Sequence, residues 1–422
     1  MPRFRTALLV TALSAAFLAA PLSAKSPEET AAAALAAAPV WDGHNDVPEQ
    51  LRGRYGNVIN QFDFTDTSKA PATEWSGVGM HTDLPRLRKG KVGAQFWSVY
   101  VDADLPQPEA VVTTLEQIDV LKRLVVRYPN DLMLATSSAD VEAAMKQGKI
   151  ASLMGMEGGS SIDGSLGVLR QMYDLGARYL TLTHSKTLDW ADSATDTPRH
   201  GGLTDFGKDV VREMQRIGML VDLSHVSEDT MFDALDVAKA PVIFSHSGAR
   251  AVNGHPRNVP DAVLSRLKDN GGIVMVVGLP NYLGEKRRQW GADRAGEEAR
   301  LKALWQGQPD RVKDAMEAWG KAHPEPKTSV ADMADHVDQI RKVAGIDHIG
   351  LGGDYDGMDT GPVGMEDVAG YPALFVELAR RGYSQADLEK IASRNMMRVL
   401  KAAEAYAAAH RADPPIEYPE KD

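Results

Sequence analysis

The sequence contains no cysteine among its 422 residues. No disulfide can brace the fold, no thiolate can bind a metal, and no lipoprotein anchor can form after the leader. A metal site, if there is one, must be built from histidine and carboxylates. Positive charge is also scarce. Without Arg3 and Arg5 the 47 basic residues fall to 45 against 58 acidic ones, a net charge of −13. An acidic surface argues against nucleic acid or an anionic membrane as the main partner. The C-terminus, IEYPEKD, is polar and lacks the hydrophobic tail that an anchor needs. Residues 1–24 have a different character. Arg3 and Arg5 precede the apolar stretch TALLVTALSAAFLAA, which ends in the small-residue pattern Leu22-Ser23-Ala24. That is the pattern of a signal peptide cleaved after Ala24, and its apolar core is short for a spanning helix. A secreted or periplasmic protein is expected.

The remaining composition, 43% hydrophobic and 25% charged, is that of a globular chain able to bury a large core. Residues 25–38 read as a helix or linker. Apolar runs ending in glycine or polar residues then recur at 39–46, 93–101, 150–159, 178–185, 219–227, 241–248, 272–278 and 348–357. Helical patterns such as FGKDVVREMQRIG, EDTMFDALDVAK and PDAVLSRLKDNG separate several of them. Eight buried-strand runs with helices between them predict an α/β protein, a parallel (β/α)8 (TIM) barrel with a core over about 39–357. DLMLATS (131–137) is a ninth candidate, read as a short accessory strand. Residues 25–422 are expected to form one domain. Long insertions at 47–92 and 279–346 would wall or cover the barrel mouth. Helices over 366–411, including a terminal pair, would pack on the outside.

The chemistry stands at the ends of those runs. WDGHNDVP carries His44 and Asp46, which would share a face if the strand continued, with Asn45 turned away. The other runs end in Glu157, His184, His225, His246 and Asp354. Any one of these alone would be an ordinary cap or turn residue. Four of only 11 histidines, however, occupy equivalent strand-end positions. A barrel brings all those ends to one mouth, where barrel enzymes place their active sites. Histidines and carboxylates without thiolate suit zinc first, with manganese or cobalt as substitutes. The set exceeds what one catalytic zinc requires, so two ions sharing a carboxylate are expected. Such a pair can generate a hydroxide at neutral pH.

The ordered motifs DGHND, GMEGG, RYLTLTHS, DLSHVS, PVIFSHS, RNVPD and GGDYDG resemble those of the renal (membrane) dipeptidase family of the amidohydrolase superfamily, over roughly 39–405. The resemblance implies a zinc-dependent dipeptidase with two Zn2+ per subunit. By it, His44 and Asp46 match ligands of one ion, His225 and His246 match those of the other, and Glu157 matches the bridging carboxylate. His184 resembles the histidine that steadies the oxyanion. Arg257, in HPRNVPD, resembles the arginine that binds the substrate's terminal carboxylate, whereas Arg250 lacks the RNVP context. Asp354, rather than Asp356, matches the aspartate that passes a proton from the bridging hydroxide's water to the leaving amine. Tyr282, in PNYLG, would contact substrate. The resemblance also implies tolerance of a C-terminal D-residue. The disulfide and lipid anchor of animal members are ruled out here, so a homodimer would be noncovalent.

Two other readings compete. Another amidohydrolase reaction on the same centre, acting on a lactone, phosphotriester or acyl-amino acid, would not in general need Arg257 to clamp a carboxylate. A non-catalytic periplasmic binding protein would have no use for Asp354 as a proton shuttle.

Overall fold

The computed structural model describes residue 2, residues 25–74 and residues 76–418, so the expected signal peptide lies outside the described residues but for Pro2. Among the described residues the strands are β1 (Val40–Asn45), β2 (Val92–Ser98), β3 (Leu132–Leu134), β4 (Ile150–Glu157), β5 (Ala177–Thr181), β6 (Leu220–Asp222), β7 (Ile243–Ser247), β8 (Ile273–Val277) and β9 (Ile349–Gly352). The sheet runs β2-β1-β9-β8-β7-β6-β5-β4, and β2 pairs with β4 to close the ring. All pairings are parallel, for example Ala94↔Ala151 through Ser98↔Gly155. The protein is a (β/α)8 barrel. β3 pairs with β4 alone, Leu132↔Ile150 to Leu134↔Ser152, and is the accessory strand that DLMLATS predicts.

Strands covered on both faces explain the unbroken apolar runs. β1, β2, β4, β7 and β8 are buried at every position. One cluster, including Trp41, Phe96, Leu153, Tyr179, Ile243 and Met275, packs together apart from the larger cluster between strands and helices. Met396, Val399 and Leu400, one stripe of the helix Asn395–Ala409, belong to that same cluster, and Asn395 at the head of the helix donates to the carbonyl of Ile349, the first residue of β9, at 2.9 Å. The apolar helix therefore packs at the N-terminal end of the barrel and leaves the other end for polar groups.

Two local expectations are corrected. The chain from Gln385 to Ala409 is one helical run, with a π-turn at Lys390–Arg394, rather than a helix pair. No glycine or proline interrupts it, so nothing ends the helix. Asp46 is also not a strand residue. β1 ends at Asn45, and Asp46 (φ −99°, ψ 24°) heads the helix Val47–Tyr55 without capping it. Its carboxylate is therefore left free. Asn45 turns away as expected, with its Nδ2 donating to Thr82 Oγ1 at 2.8 Å and its Oδ1 accepting from Val47 N at 3.1 Å.

Both long insertions contain helices, and the second is largely helical. The first contains Val47–Tyr55 and Leu84–Lys89, and the second contains Glu285–Leu304, Pro309–Ala322 and Val330–Val343. No helix among the described residues is long and apolar enough to cross a membrane.

Candidate active site

Barrel closure brings residues from both ends of the chain together. The Asp354 backbone N–H donates to the His44 carbonyl at 3.2 Å. Glu157, the last residue of β4, lies at the centre of the cluster. Its Oε2 is 3.3 Å from His44 Nε2, which is itself 3.4 Å from Asp46 Oδ2. Its Oε1 is 3.0 Å from His225 Nε2 and 3.3 Å from His246 Nε2. Each oxygen of one carboxylate thus faces a different group of ligand-type atoms. His184 Nε2 approaches Oε1 at 3.8 Å, and His44, Asp46 and Asp354 form a further close group.

The donor set fits divalent cations. His44 Nε2 is fully buried, has no hydrogen-bond partner and lies 3.3–3.4 Å from two carboxylate oxygens, so a positive charge is called for there, carried by the protonated ring or, on the neutral ring, by a bound cation. His225 Nε2 and His246 Nε2 lie 2.9 Å apart, so two imidazole nitrogens converge on the same oxygen. The ring nitrogens and carboxylate oxygens of this cluster are the ligands zinc prefers when thiolates are absent. His44, Asp46, Glu157, His225 and His246 could hold two ions with Glu157 between them.

Further contacts set the ring orientations. Tyr179 Oη meets His44 Nδ1 at 2.9 Å, and Ser245 Oγ meets His246 Nδ1 at 2.8 Å. Ser245 Oγ in turn donates to Asp222 Oδ2 at 2.6 Å. Each contact turns the opposite nitrogen, Nε2, toward Glu157. Tyr179 can lie across the barrel only because its strand neighbour is Gly155, where a Cβ would fall 1.9 Å from the Tyr179 ring. Asp42 ties β1 to its surroundings, with Oδ1 accepting from His44 N and Gly353 N and Oδ2 accepting from Tyr371 Oη at 2.7 Å. His225 and Asp354 have left-handed backbones (φ +68° and +61°), unusual for residues with a side chain and typical of functional turns. The His225 carbonyl is held by Ala194 N at 2.8 Å and Thr183 Oγ1 at 3.2 Å.

Electrostatics sort the groups by role. Burial works against charge on Glu157, but the His44 charge and hydrogen bonds from His225 and His246 hold its carboxyl well below the usual range. Burial, reinforced by the Arg257 charge, keeps His225 neutral, and burial does the same for His246 and His184. Neutral imidazole is the form that ligates metals. Burial pushes Asp354 up to about 8, opposed by His44 and reinforced by Asp46 and Glu157. A carboxyl with that value exchanges protons near neutral pH.

A cavity of about 310 Å³ opens over the cluster, lined by Asp46, Glu157, His184, Arg257, Tyr282 and Asp354. That volume is at the small end for ligand pockets and suits a small substrate. Arg257 is only 2% exposed. Its two terminal nitrogens reach Ser247 Oγ (3.4 Å) and the His246 carbonyl (3.2 Å), and its Nε has no partner. The Tyr282 ring lies 5.5 Å from its guanidinium. Arg250 instead pairs with Glu228 outside the cavity. Asp356 points to the insertion, where it accepts the His81 N–H at 2.7 Å.

The sequence reading did not nominate Glu49, Tyr100, Tyr179 or Asp222. Glu49 and Tyr100 line the cavity as well, and the Tyr100 ring stands 4.8 Å from that of His184. Glu49 lies one helical turn after Asp46, a spacing that would have flagged it once residues 47–55 were read as a helix. Tyr100 stands just beyond β2, a strand-end position like the others. No local signal marks Tyr179 or Asp222.

The chain matches the family model described as membrane dipeptidase (peptidase family M19) over residues 28–414. It is 40% identical to an uncharacterised dipeptidase of Schizosaccharomyces pombe over 407 residues, covering 93% of this chain and 87% of that protein. It is also 40% identical to dipeptidase 3 of Macaca fascicularis over 384 residues, 90% of this chain and 68% of that protein. Among solved structures it resembles the probable dipeptidase PvdM from Pseudomonas aeruginosa, with a TM-score of 0.74, 24% identity and coverage of 90% and 99% of the two chains. It also resembles a metallo peptidase from Rhodobacter sphaeroides liganded with a phosphinate mimic of L-Ala-D-Ala, with a TM-score of 0.69, 23% identity and coverage of 87% and 99%. These structural likenesses extend the agreement in fold, while the family match and the two 40% identities decide membership: the chain belongs to the membrane dipeptidase family of metallopeptidases, M19.

Proposed function

We propose that the protein is an exported dipeptidase that works with two divalent ions, zinc in the first instance, held by His44, Asp46, Glu157, His225 and His246. The observation that carries this reading is the division of Glu157, with Oε2 facing His44 and Oε1 facing His225 and His246. When bound, such ions would supply Lewis acidity and would lower the pKa of a water so that it can attack at neutral pH.

The remaining work falls to the chain. Arg257, buried with a free Nε, receives the substrate carboxylate, and Tyr282 flanks it. This supports a carboxylate-bearing substrate over a lactone or phosphotriester. With the carboxylate held there, the scissile carbonyl would lie between Glu157 and His184. Neutral His184 donates a hydrogen bond to the carbonyl oxygen as it gains charge. Asp354 takes the proton released by the attacking water and delivers it to the leaving amine. That proton transfer also separates the reading from a passive binding protein. The phosphinate mimic of L-Ala-D-Ala carried by the Rhodobacter sphaeroides structure supports acceptance of a C-terminal D-residue here.

The test is to strip the purified protein with chelator, reload it with zinc or manganese, and assay L-Ala-L-Ala and L-Ala-D-Ala. Metal-dependent release of free amino acids is expected, with two ions per chain by elemental analysis. A loaded protein that releases no amino acid from a dipeptide panel would overturn the proposal.

A further inference from the structure

A second cavity, about 810 Å³, adjoins the first and shares Glu49 and Tyr100 with it. Its wall is formed mainly by the helix Gln107–Arg127 and the segment after β2, including Asp102, Glu109, Val112, Glu116 and Gln117. The charge lining it is one-sided. Arg52 is its one cation, and Arg52 is already paired with Glu116 at 2.6 Å. Among the described residues Glu49, Asp102 and Glu109 make no ion pair.

A separate observation concerns a neutral group. Gln117 lines the same cavity and is fully buried. Its Nε2 donates to the Tyr100 carbonyl at 3.3 Å, and its Oε1 has no partner. A buried amide oxygen without a donor is costly. Gln117 Oε1 lies behind this surface, and the cavity face itself carries the Asp102 and Glu109 carboxylates without an ion partner, beside a Glu49 carboxyl that burial and the neighbouring carboxylates push well up; the wall calls for a ligand that is positively charged and rich in donors. A guanidinium has five N–H donors and no acceptor, and an ammonium has three donors.

Topology says which part of a dipeptide would reach it. Arg257 follows β7 and Tyr100 follows β2. In the closed ring these strands are diametrically opposite, four steps apart in either direction. A substrate whose carboxylate lies on Arg257, and whose peptide bond lies at Glu157 and His184, directs its N-terminal residue toward Glu49 and Tyr100.

We propose that the groove between Glu49, Asp102, Glu109 and Gln117 is the subsite for the N-terminal residue and selects dipeptides whose first side chain is cationic, arginine or lysine. The proposal rests on the dipeptidase reading and names its preferred substrate class.

The test compares L-Arg-L-Ala with L-citrulline-L-Ala, a neutral near-isostere, on the metal-loaded enzyme, with L-Ala-L-Ala and L-Glu-L-Ala alongside. The kcat/KM for Arg-Ala is expected to exceed that for citrulline-Ala about ten-fold at low salt, with Glu-Ala the poorest and the gap narrowing as salt is added. Two variants locate the effect. Glu109→Gln removes an acceptor charge, and Val112→Arg places a tethered guanidinium at a position that is 56% exposed, where folding tolerates it. Both are expected to lower the Arg-Ala to citrulline-Ala ratio. Equal kcat/KM for Arg-Ala and citrulline-Ala, with Ala-Ala still cleaved, would overturn the groove assignment and leave the dipeptidase reading standing. A preference that both variants retain would overturn the assignment of these residues. Failure to cleave any dipeptide would remove both readings together.

Discussion

Tyr179→Phe deletes one oxygen from the middle of the barrel and leaves the ring. The ring is fully buried, 5.0 Å from Phe96, and fits over Gly155, so Phe occupies the same space. What is lost is the 2.9 Å contact to His44 Nδ1. His44 is itself fully buried, so no water replaces the hydroxyl. Leaving such a nitrogen without a partner costs about 1–3 kcal/mol, and removing an outer hydrogen bond to a ligating histidine typically weakens metal binding by about 10–100-fold. The loss should be confined to the ion on the Glu157 Oε2 side, because His225 and His246 depend on other contacts. Chelator competition followed by elemental analysis reads this directly. One ion should leave at about ten-fold or more lower chelator concentration, while the second is released as in the wild type. His44→Ala is the limiting case, in which one ion is absent and the fold survives. If Tyr179→Phe leaves both affinities unchanged, or weakens both equally, the separation of two sites across Glu157 is wrong.

Other outcomes follow from the same contacts. Arg257→Met should reduce kcat/KM for dipeptides by about 30-fold or more, mainly through KM, because truncating one partner of a buried charge pair costs about 2–5 kcal/mol. An unchanged KM would argue against a carboxylate at that position. Gly155→Ala would force a Cβ to within 1.9 Å of the Tyr179 ring. It should destabilise the fold by about 1–3 kcal/mol in urea melts and loosen the His44 side of the centre as Tyr179→Phe does. Glu213 tests stability away from the site. Its side chain is fully buried; burial raises its pKa, but bonds from Arg216 (2.7 Å) and Arg170 (2.9 Å) hold the carboxyl below its ordinary value. A depressed folded pKa means that the ion pairs stabilise the protein above the unfolded carboxyl value and stop doing so as pH falls through the folded one. Glu213→Gln should therefore cost about 1–2 kcal/mol at pH 7, since both arginines are partly exposed, and the difference from wild type should shrink in melts taken below about pH 4. A difference independent of pH would mean that packing, not charge, is responsible.

The legible and illegible parts of the protein differ for identifiable reasons. Runs such as GIVMVVG and PVIFSHSG announce strands because a barrel strand is covered on both faces and has no polar side to alternate with. The strand-end positions of Glu157, His184, His225, His246 and Asp354 could be read for the same reason, since a polar residue after such a run must lie where the core ends. Period two was a poorer guide at WDGHNDVP. His44 and Asp46 do meet, at 3.4 Å, but Asp46 reaches His44 from the head of a helix. The terminal π-turn was missed because a π-turn needs no distinctive residue. Glu49 is hidden in a long insertion whose sequence is polar and rich in glycine and proline, and Tyr179 and Asp222 look like ordinary members of buried strands.

The sequence by itself determined the barrel, the absence of any thiolate or disulfide, and the set of imidazoles and carboxylates available at one mouth. These depend on composition and local periodicity, which the chain carries along its length. Only the tertiary structure decided which Glu157 oxygen faces which histidines, that Arg257 rather than Arg250 enters the cavity, and that Tyr179 crosses the barrel to His44. It also decided that an acidic groove meets the pocket at Glu49 and Tyr100. Those features depend on ring closure, on the clearance above Gly155 and on left-handed turns at His225 and Asp354. Each is a relation between segments distant in sequence, set by packing when the ring closes.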